Sequence, residues 1–380
     1  MISQDNARYL VVLVFAIVFA ATIGVIGQSP TGNIIGILPP TPDDATITTN
    51  LSTEIKVNLT EFNLTNMTYT WNTTSYAIYN NSLVLMLNFD NVSSLGENQT
   101  IVTDVSKYGN NGTIVGAVWN SSGKYGGGFE FDGVSGSIDL GKPASLNISG
   151  NITISAWIKM RTPSNILPRI VDSWDTDGDD QGFILHIVDA GDLAKFSVGS
   201  GSAISAFAIP QEQWVHLVGN WNGSHINLYV NGSLVNSTSY AGQMGISKRN
   251  VVIGNIDIGT REFNGTIDEV RIWNISLTAD QIRQQYMTNL NKYGTDDWLL
   301  YVNQTVAEPY KNYTFPYQAC AFDNLGNENC TGSREITILG VAPPITYNNP
   351  TPANQTITTN TSFIVNVSIN ESSLGQVKYI

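Results

Sequence analysis

Residues Gln213 to Val235 read QWVHLVGNWNGSHINLYVNGSLV, and this stretch decides the fold class. Asn231-Gly232 stands between two short apolar runs, LYV and SLV, and Asn-Gly supplies the two positive φ angles that a type I′ hairpin turn needs. Asn222-Gly223 does the same between Trp221 and His225. Three consecutive antiparallel strands follow. Alternation puts Ile226, Leu228 and Val230 on one face and Asn227 and Tyr229 on the other. The centre of this chain is a sheet.

Working outward, strand patterns recur at short intervals on both sides: GGGFEFDG, SGSIDLG, NITISAWIKM, RIVDSW, GFILHIVD and LAKFSVG before the meander, NVVIGNID and FNGTIDEVRIW after it. One short helix closes the series. Thr278 is its N-cap with Gln281 three residues on, and Leu277 and Ile282 occupy the positions of a hydrophobic staple. About a dozen short strands with tight turns describe an all-β, two-sheet jelly-roll sandwich.

Length and composition set the surroundings. A chain of 380 residues predicts two or three compact units. Only 13% of its residues are charged and the net charge is −13, so there is no basic patch to neutralise phosphates, and nucleic acid is excluded as a partner. Residues 10–26 are uninterruptedly apolar with Arg8 on their N-terminal side. They predict a membrane-spanning signal anchor in preference to a cleaved signal peptide, with everything downstream exported. The expected localisation is therefore the cell membrane, single-pass, with the bulk of the chain outside. Roughly two dozen Asn-x-Ser/Thr sequons, against roughly seven from composition, point to glycosylation, with Asn58, Asn72, Asn147, Asn231, Asn264 and Asn274 among them. Cys320 and Cys330 flank a turn rich in Asp, Asn and Gly. In an oxidising compartment they predict a disulfide across a hairpin.

An internal repeat frames the jelly roll. PTPDDATITTN from Pro40 is matched by PTPANQTITTN from Pro350, each followed by an alternating strand. Neither copy is long enough for an immunoglobulin-like sandwich of about seven strands. Expected boundaries are a stub and anchor over 1–27, a linker over 28–37, and the first part of an immunoglobulin-like sandwich over 38–81. The jelly roll follows over 82–290, further immunoglobulin-like strands over 296–339, and a second, truncated repeat over 340–380. Residues 38–81 and 296–339 are expected to join into one discontinuous sandwich interrupted by the jelly roll.

Five segments then resemble one family in order: VTDVSKYGNNGTIVGA, GGGFEFDGVSGSIDLG, NITISAWIKM, the meander, and FNGTIDEVRIWNISLTADQI. They are similar to the LamG-like jelly rolls of the laminin-G and concanavalin-A-like lectin/glucanase superfamily, over about 205 residues. The resemblance implies a concave-faced sandwich that binds glycans or proteins outside cells, often with a structural calcium. It places that calcium near Asp268, with Asp90 and the Asp132-Gly133 turn as the other matching positions. Alternation in GTIDEVRIW sets Asp268 on the face of Val270 and Ile272 at the edge of the core, where a carboxylate must be paired, hydrogen-bonded or bound to a cation. The alternative at this position is a carboxylate satisfied by backbone amides or by Arg271.

Other candidates weigh less. Asp172, Asp175, Asp177, Asp179 and Asp180 read as a solvated acidic loop rather than a cation loop, because the glycine spacing does not fit an EF-hand. The paired-carboxylate strand of related glucanases is absent, since Asn255-Ile256-Asp257-Ile258-Gly259 lacks both glutamates, so catalysis is not expected. Trp157, Trp214 and Trp221 fall within strands and predict core packing. Trp119, Trp174 and Tyr240 lie near loops and are the candidate ligand rim. The function expected is adhesion or recognition of an extracellular glycan or surface protein, with an envelope spacer that binds nothing specific as the alternative and a glycoside hydrolase as a more remote one.

Overall fold

The computed structural model describes residues 34–61, 63–162, 167–175, 181–188, 192–257, 261–307 and 311–340, together with the backbone of Ile345–Asn348 and Asn366–Ile369. The apolar run over 10–26 and most of the repeat from Pro350 lie outside these residues. Among the described residues no helix is long and apolar enough to cross a membrane.

The quoted meander is three antiparallel strands, Trp214–Trp221, His225–Val230 and Ser233–Ser239. Ile226, Leu228 and Val230 enter one core and Tyr229 another, as alternation requires. The Asn231-Gly232 turn has both residues at positive φ, 50° and 75°. The other turn is built differently. Of its pair only Gly223 has positive φ, and the Asn222 side chain closes the turn by accepting from the backbone of Ser224 and His225.

The meander extends into an eight-stranded sheet through Ile152–Met160, the long strand Asn264–Trp273, Gly128–Asp132 and Val118–Asn120, with Leu83–Leu87 also on Asn264–Trp273. A second eight-stranded sheet, from Gly201–Ala208 at one edge to Ile101–Val102 at the other, faces it. Between them lies a core that includes Phe131, Ile154, Phe183, Phe196, Leu228 and Ile272. This is the jelly roll.

Two smaller sheets form a second sandwich. Ile34–Leu38, Ser52–Thr60, Asp297–Thr305 and Thr288–Lys292 make one. Thr46–Thr48, Arg334–Ile338, Tyr313–Phe322, Asn66–Trp71 and Thr74–Tyr79 make the other, with Glu328–Cys330 beside Tyr313–Phe322. Each sheet therefore joins strands from before residue 80 with strands from after residue 287. Cys320 and Cys330 stand opposite each other on paired strands and form a disulfide.

The second core reaches the jelly roll. It gathers Val57, Leu59, Met67, Tyr69, Trp298, Leu300 and Ala319 from the small sheets with Met86, Val218, Tyr229 and Trp273 from the outer face of the jelly-roll sheet. Helix Ala279–Met287 lies at this seam. Its capping box is made by Thr278 and Gln281, and the staple residues Leu277 and Ile282 are both buried in the second core. The middle of the outer face of this sheet is thereby covered, while its edge strands Ser233–Ser239 and Val118–Asn120 stay largely exposed; in Asn264–Trp273 every residue after Asn264 is buried.

Candidate functional site

The site is best built from the strand that carries Asp268. Opposite Ser155 and Trp157, which are two residues apart, stand Arg271 and Asp268, which are three apart. The extra residue is a β-bulge, and Glu269 within it has φ +51°. A one-residue insertion reverses facing downstream of it. Val270 and Ile272 point into the jelly-roll core as expected, whereas Asp268 shares the outer face with Trp157. Simple alternation had set it on the core side.

On that outer face Asp268 is fully buried and held by amides. Its Oδ1 accepts from Glu269 N (2.7 Å), and its Oδ2 accepts from Lys124 N (2.8 Å) and Tyr125 N (3.0 Å). Asp90 holds the other end of the same loop, its Oδ1 accepting from Gly127 N (2.7 Å). The loop turns between Gly123 and Gly126, where Gly123 N donates to Gly126 O. Glycine is required at 126, because φ is +67° and a Cβ would collide with the Asp90 carboxylate. Phe89 and Asn91, on either side of Asp90, also have positive φ, at 61° and 55°. Backbone strain of this kind collects where a side chain must be aimed.

The two aspartates are thus clamps for the loop 123–127. That loop forms one wall of an open groove of about 470 Å³. Lys124, Tyr125 and Gly126 line it on one side. The floor is the outward face of the small sheet, where alternation in STEIKVNLT and DWLLYVNQT turns Lys56, Leu299, Tyr301 and Asn303 away from the second core. Strand register sets Lys56, Tyr301 and Asn289 in one row across three strands, and Leu299 and Asn291 in the next. The Tyr125 and Tyr301 rings meet at 5.8 Å.

Beneath the groove is a buried polar network. The Arg271 guanidinium donates to Glu269 Oε2 (2.9 Å), Asn289 Oδ1 (2.5 Å) and Gln285 Oε1 (3.1 Å), while Asn88 Nδ2 donates to both Glu269 oxygens. Burial pushes Glu269 up to about 7 against the pull of Arg271. Burial also raises Asp268, with Glu269 adding to it, and lowers Lys124. His216 beside them is driven down to about 3 by burial, with Arg271 and Lys124 contributing.

The family resemblance implies a calcium near Asp268, Asp90 and Asp132. Asp268 has both oxygens engaged by N–H donors. Asp132 lies four residues along its strand from Gly128, roughly 13 Å away, and caps its own turn by accepting from Val134 N and Ser135 N, with Gly133 in that turn at φ +73°. Of the oxygens of these three aspartates, Asp90 Oδ2 is the one buried without a hydrogen bond of good geometry, and the Asn291 side chain lies beside that carboxylate. One free carboxylate oxygen falls short of the six to eight oxygens calcium takes, so Asp268, Asp90, Asp132 and Gly133 do not fit as a cage.

The predicted rim does not line the groove. Trp119 backs the clamped loop, its Nε1 donating to Phe89 O (2.8 Å). Tyr240 packs against Trp221 with its hydroxyl donating to Gln243 O, and Trp174 lies on the far sheet. Of the acidic loop, Asp172 and Asp175 are buried and paired with Arg169 (3.1 Å) and Arg249 (3.7 Å) rather than solvated, and 177, 179 and 180 lie outside the described residues. Asn72, Asn147, Asn231 and Asn274 are exposed. Asn264 has its Nδ2 donating to Thr162 O, and Asn58 is half-buried on the same outward face as Lys56. Sequence reasoning missed Lys56, Tyr301 and the three asparagines of the groove. The signal was available in the alternation of DWLLYVNQT, where Leu299 and Tyr301 stand on the polar face.

Among curated proteins none matches this chain. Solved structures similar to it include domain 4 of AbnA, a GH43 extracellular arabinanase from Geobacillus stearothermophilus, in complex with arabinotriose (22% identity, 54% of this chain and 98% of that one, TM-score 0.43). Others are the binding domain of Paraclostridial Mosquitocidal Protein 1 (15%, 76% and 75%, 0.45) and the Ruminococcus gnavus IT-sialidase CBM40 bound to alpha2,3 sialyllactose (16%, 44% and 96%, 0.35). Within the jelly roll, residues 132–283 match the family model of the concanavalin A-like lectin/glucanases superfamily.

Proposed function

We propose that this protein is a saccharide-binding protein whose site is the groove between the clamped loop and the outward face of the small sheet. The observation that carries this reading is the convergence there of two tyrosine rings, Tyr125 and Tyr301, with the amides of Asn289, Asn291 and Asn303. Rings offer faces on which sugar C–H groups stack; Asn289 and Asn303 have their Oδ1 atoms engaged by Arg271 and the Ser52 hydroxyl and keep NH2 groups to donate, while Asn291 Oδ1 has no hydrogen-bond partner and can accept. The volume lies within the range of small-molecule sites. Among the described residues none that lines the groove is a carboxylate, Glu54 lying beside it at the Tyr301 hydroxyl, and the function proposed is binding rather than hydrolysis. The immunoglobulin-like character of the second sandwich, the N-terminal membrane anchor and export to the cell surface are retained as parts of this proposal.

One observation favours the rival reading of a glycan-covered spacer. Asn303 lines the groove and begins the sequon Asn303-Gln304-Thr305, and Asn58 on the same face begins another. A glycan on Asn303 would fill the groove. Oligosaccharide-array binding by the full chain and by Tyr301→Ala, with peptide mass spectrometry of Asn303, tests both readings. Binding lost in the variant is expected; an unbound array together with a glycosylated Asn303 would favour the spacer.

A further inference from the structure

Two lysines, Lys56 and Lys124, line the groove. Lys56 stands on the floor of the groove and Lys124 on its loop wall, in a chain that has 31 acidic residues against 18 basic ones. Neither forms an ion pair among the described residues. Each is placed instead by aromatic faces: Lys56 Nζ is 5.6 Å from the Tyr301 ring centroid, and Lys124 Nζ is 5.5 Å from that of Tyr125 and 4.3 Å from that of Trp157. A cation–π contact fixes an ammonium in position without cancelling its charge. The nearest carboxylates are already committed. Asp268 spends both oxygens on amides of the loop, and Glu54 sits beside the Tyr301 hydroxyl. Asp268 acts on Lys124 through space without pairing with it, so neither ammonium group is held in an ion pair among the described residues and both can meet an entering anion.

We propose that the groove takes an anionic saccharide, with the sugar ring against Tyr125 and Tyr301 and its acid group between Lys56 and Lys124. The inference rests on the saccharide-binding reading above and narrows it to one class, sugars that bear a carboxylate or a sulfate. A neutral sugar would displace water from two positioned ammonium groups without supplying a charge to replace it, which disfavours it relative to its acidic counterpart.

The test uses the full chain on an array of paired oligosaccharides. Uronate and sialate members are each printed beside their carboxyl-reduced forms, and sulfated members beside their desulfated forms. Acidic members are expected to bind about tenfold more tightly than their neutral partners. Lys56→Gln and Lys124→Gln should each remove most of that difference while leaving the weak neutral binding in place, and Lys56→Arg should restore it. Raised salt should erase the preference. The carboxylate and sulfate arms identify which acid is preferred. Equal binding of acidic and neutral partners overturns the anionic assignment and leaves the saccharide site standing. Binding of neither, with the chain shown to be folded, overturns both.

Discussion

His216 gives the sharpest quantitative test of the seam beneath the groove. Its ring is fully buried, lies 5.1 Å from Trp157 and 6.0 Å from Tyr286, and its Nδ1 has no hydrogen-bond partner. Burial lowers its folded-state pKa to about 3, below the ordinary value of 6.5. Between those values the unfolded chain binds the extra proton, so stability rises with pH across that window and is lost as the solution is acidified from near neutrality. At about pH 5 the penalty is about 2 kcal/mol, and it is close to zero at about pH 7.5. His216→Phe keeps an aromatic ring between Trp157 and Tyr286 and removes the titration. Urea unfolding of both proteins at the two pH values isolates this histidine, because all other titrating groups are common to the pair. The stability difference between variant and parent should move by about 2 kcal/mol in favour of the variant on going to about pH 5. A difference that is the same at both values would show that His216 titrates normally in the folded state and that burial does not hold its ring neutral.

The remaining predictions concern the clamps and staples. Arg271→Met takes the donor from Asn289 and Gln285, while Glu269 can neutralise by taking up a proton, and should cost about 1–3 kcal/mol in urea unfolding near neutral pH; an Arg271→Met protein as stable as the parent would show that the network adds no stability. Since the carboxyl of Glu269 is raised to about 7 from an ordinary 4.5, its own contribution has the opposite sign to that of His216, favouring the fold below that window and fading as pH climbs through it; Glu269→Gln should flatten this slope. Chelation with EDTA should leave the thermal midpoint unchanged, and a rise of several degrees on adding calcium would restore the metal reading at Asp90 and Asp268. Replacing Cys320 and Cys330 together by alanine opens a short loop and should cost about 2–3 kcal/mol, measured against the parent under oxidising conditions.

Much of the fold was legible because local rules were not contradicted. Asn231-Gly232 made the hairpin it promised, Thr278 and Gln281 made the capping box, and Cys320 met Cys330 across a short hairpin. Each depends on a few neighbouring residues and on backbone preferences that tertiary context leaves alone. The candidate site was less legible. Asp268 was marked correctly as a buried carboxylate needing partners, and those partners are the amides of Glu269, Lys124 and Tyr125, two of them more than 140 residues away in sequence. Its facing was misjudged because Glu269 adopts positive φ without being glycine, and nothing in GTIDEVRIW announces a bulge. Trp119, Trp174 and Tyr240 were reasonable as loop aromatics, yet the rings that meet in the groove are Tyr125 and Tyr301.

What the amino-acid order determined by itself is therefore the all-β class, the jelly-roll strand series, the helix with its cap and the pairing of two cysteines. Periodicity, turn chemistry and capping act over a few residues and can be read along a line. The tertiary structure decided that the middle of the outer face of the jelly-roll sheet is covered and that residues of that face belong to the core of the second sandwich. It also decided that Lys56, Lys124 and Tyr301 stand around one groove. Those outcomes depend on which apolar faces bury one another across hundreds of residues, and on one bulge that turns a carboxylate from the core toward the loop it holds.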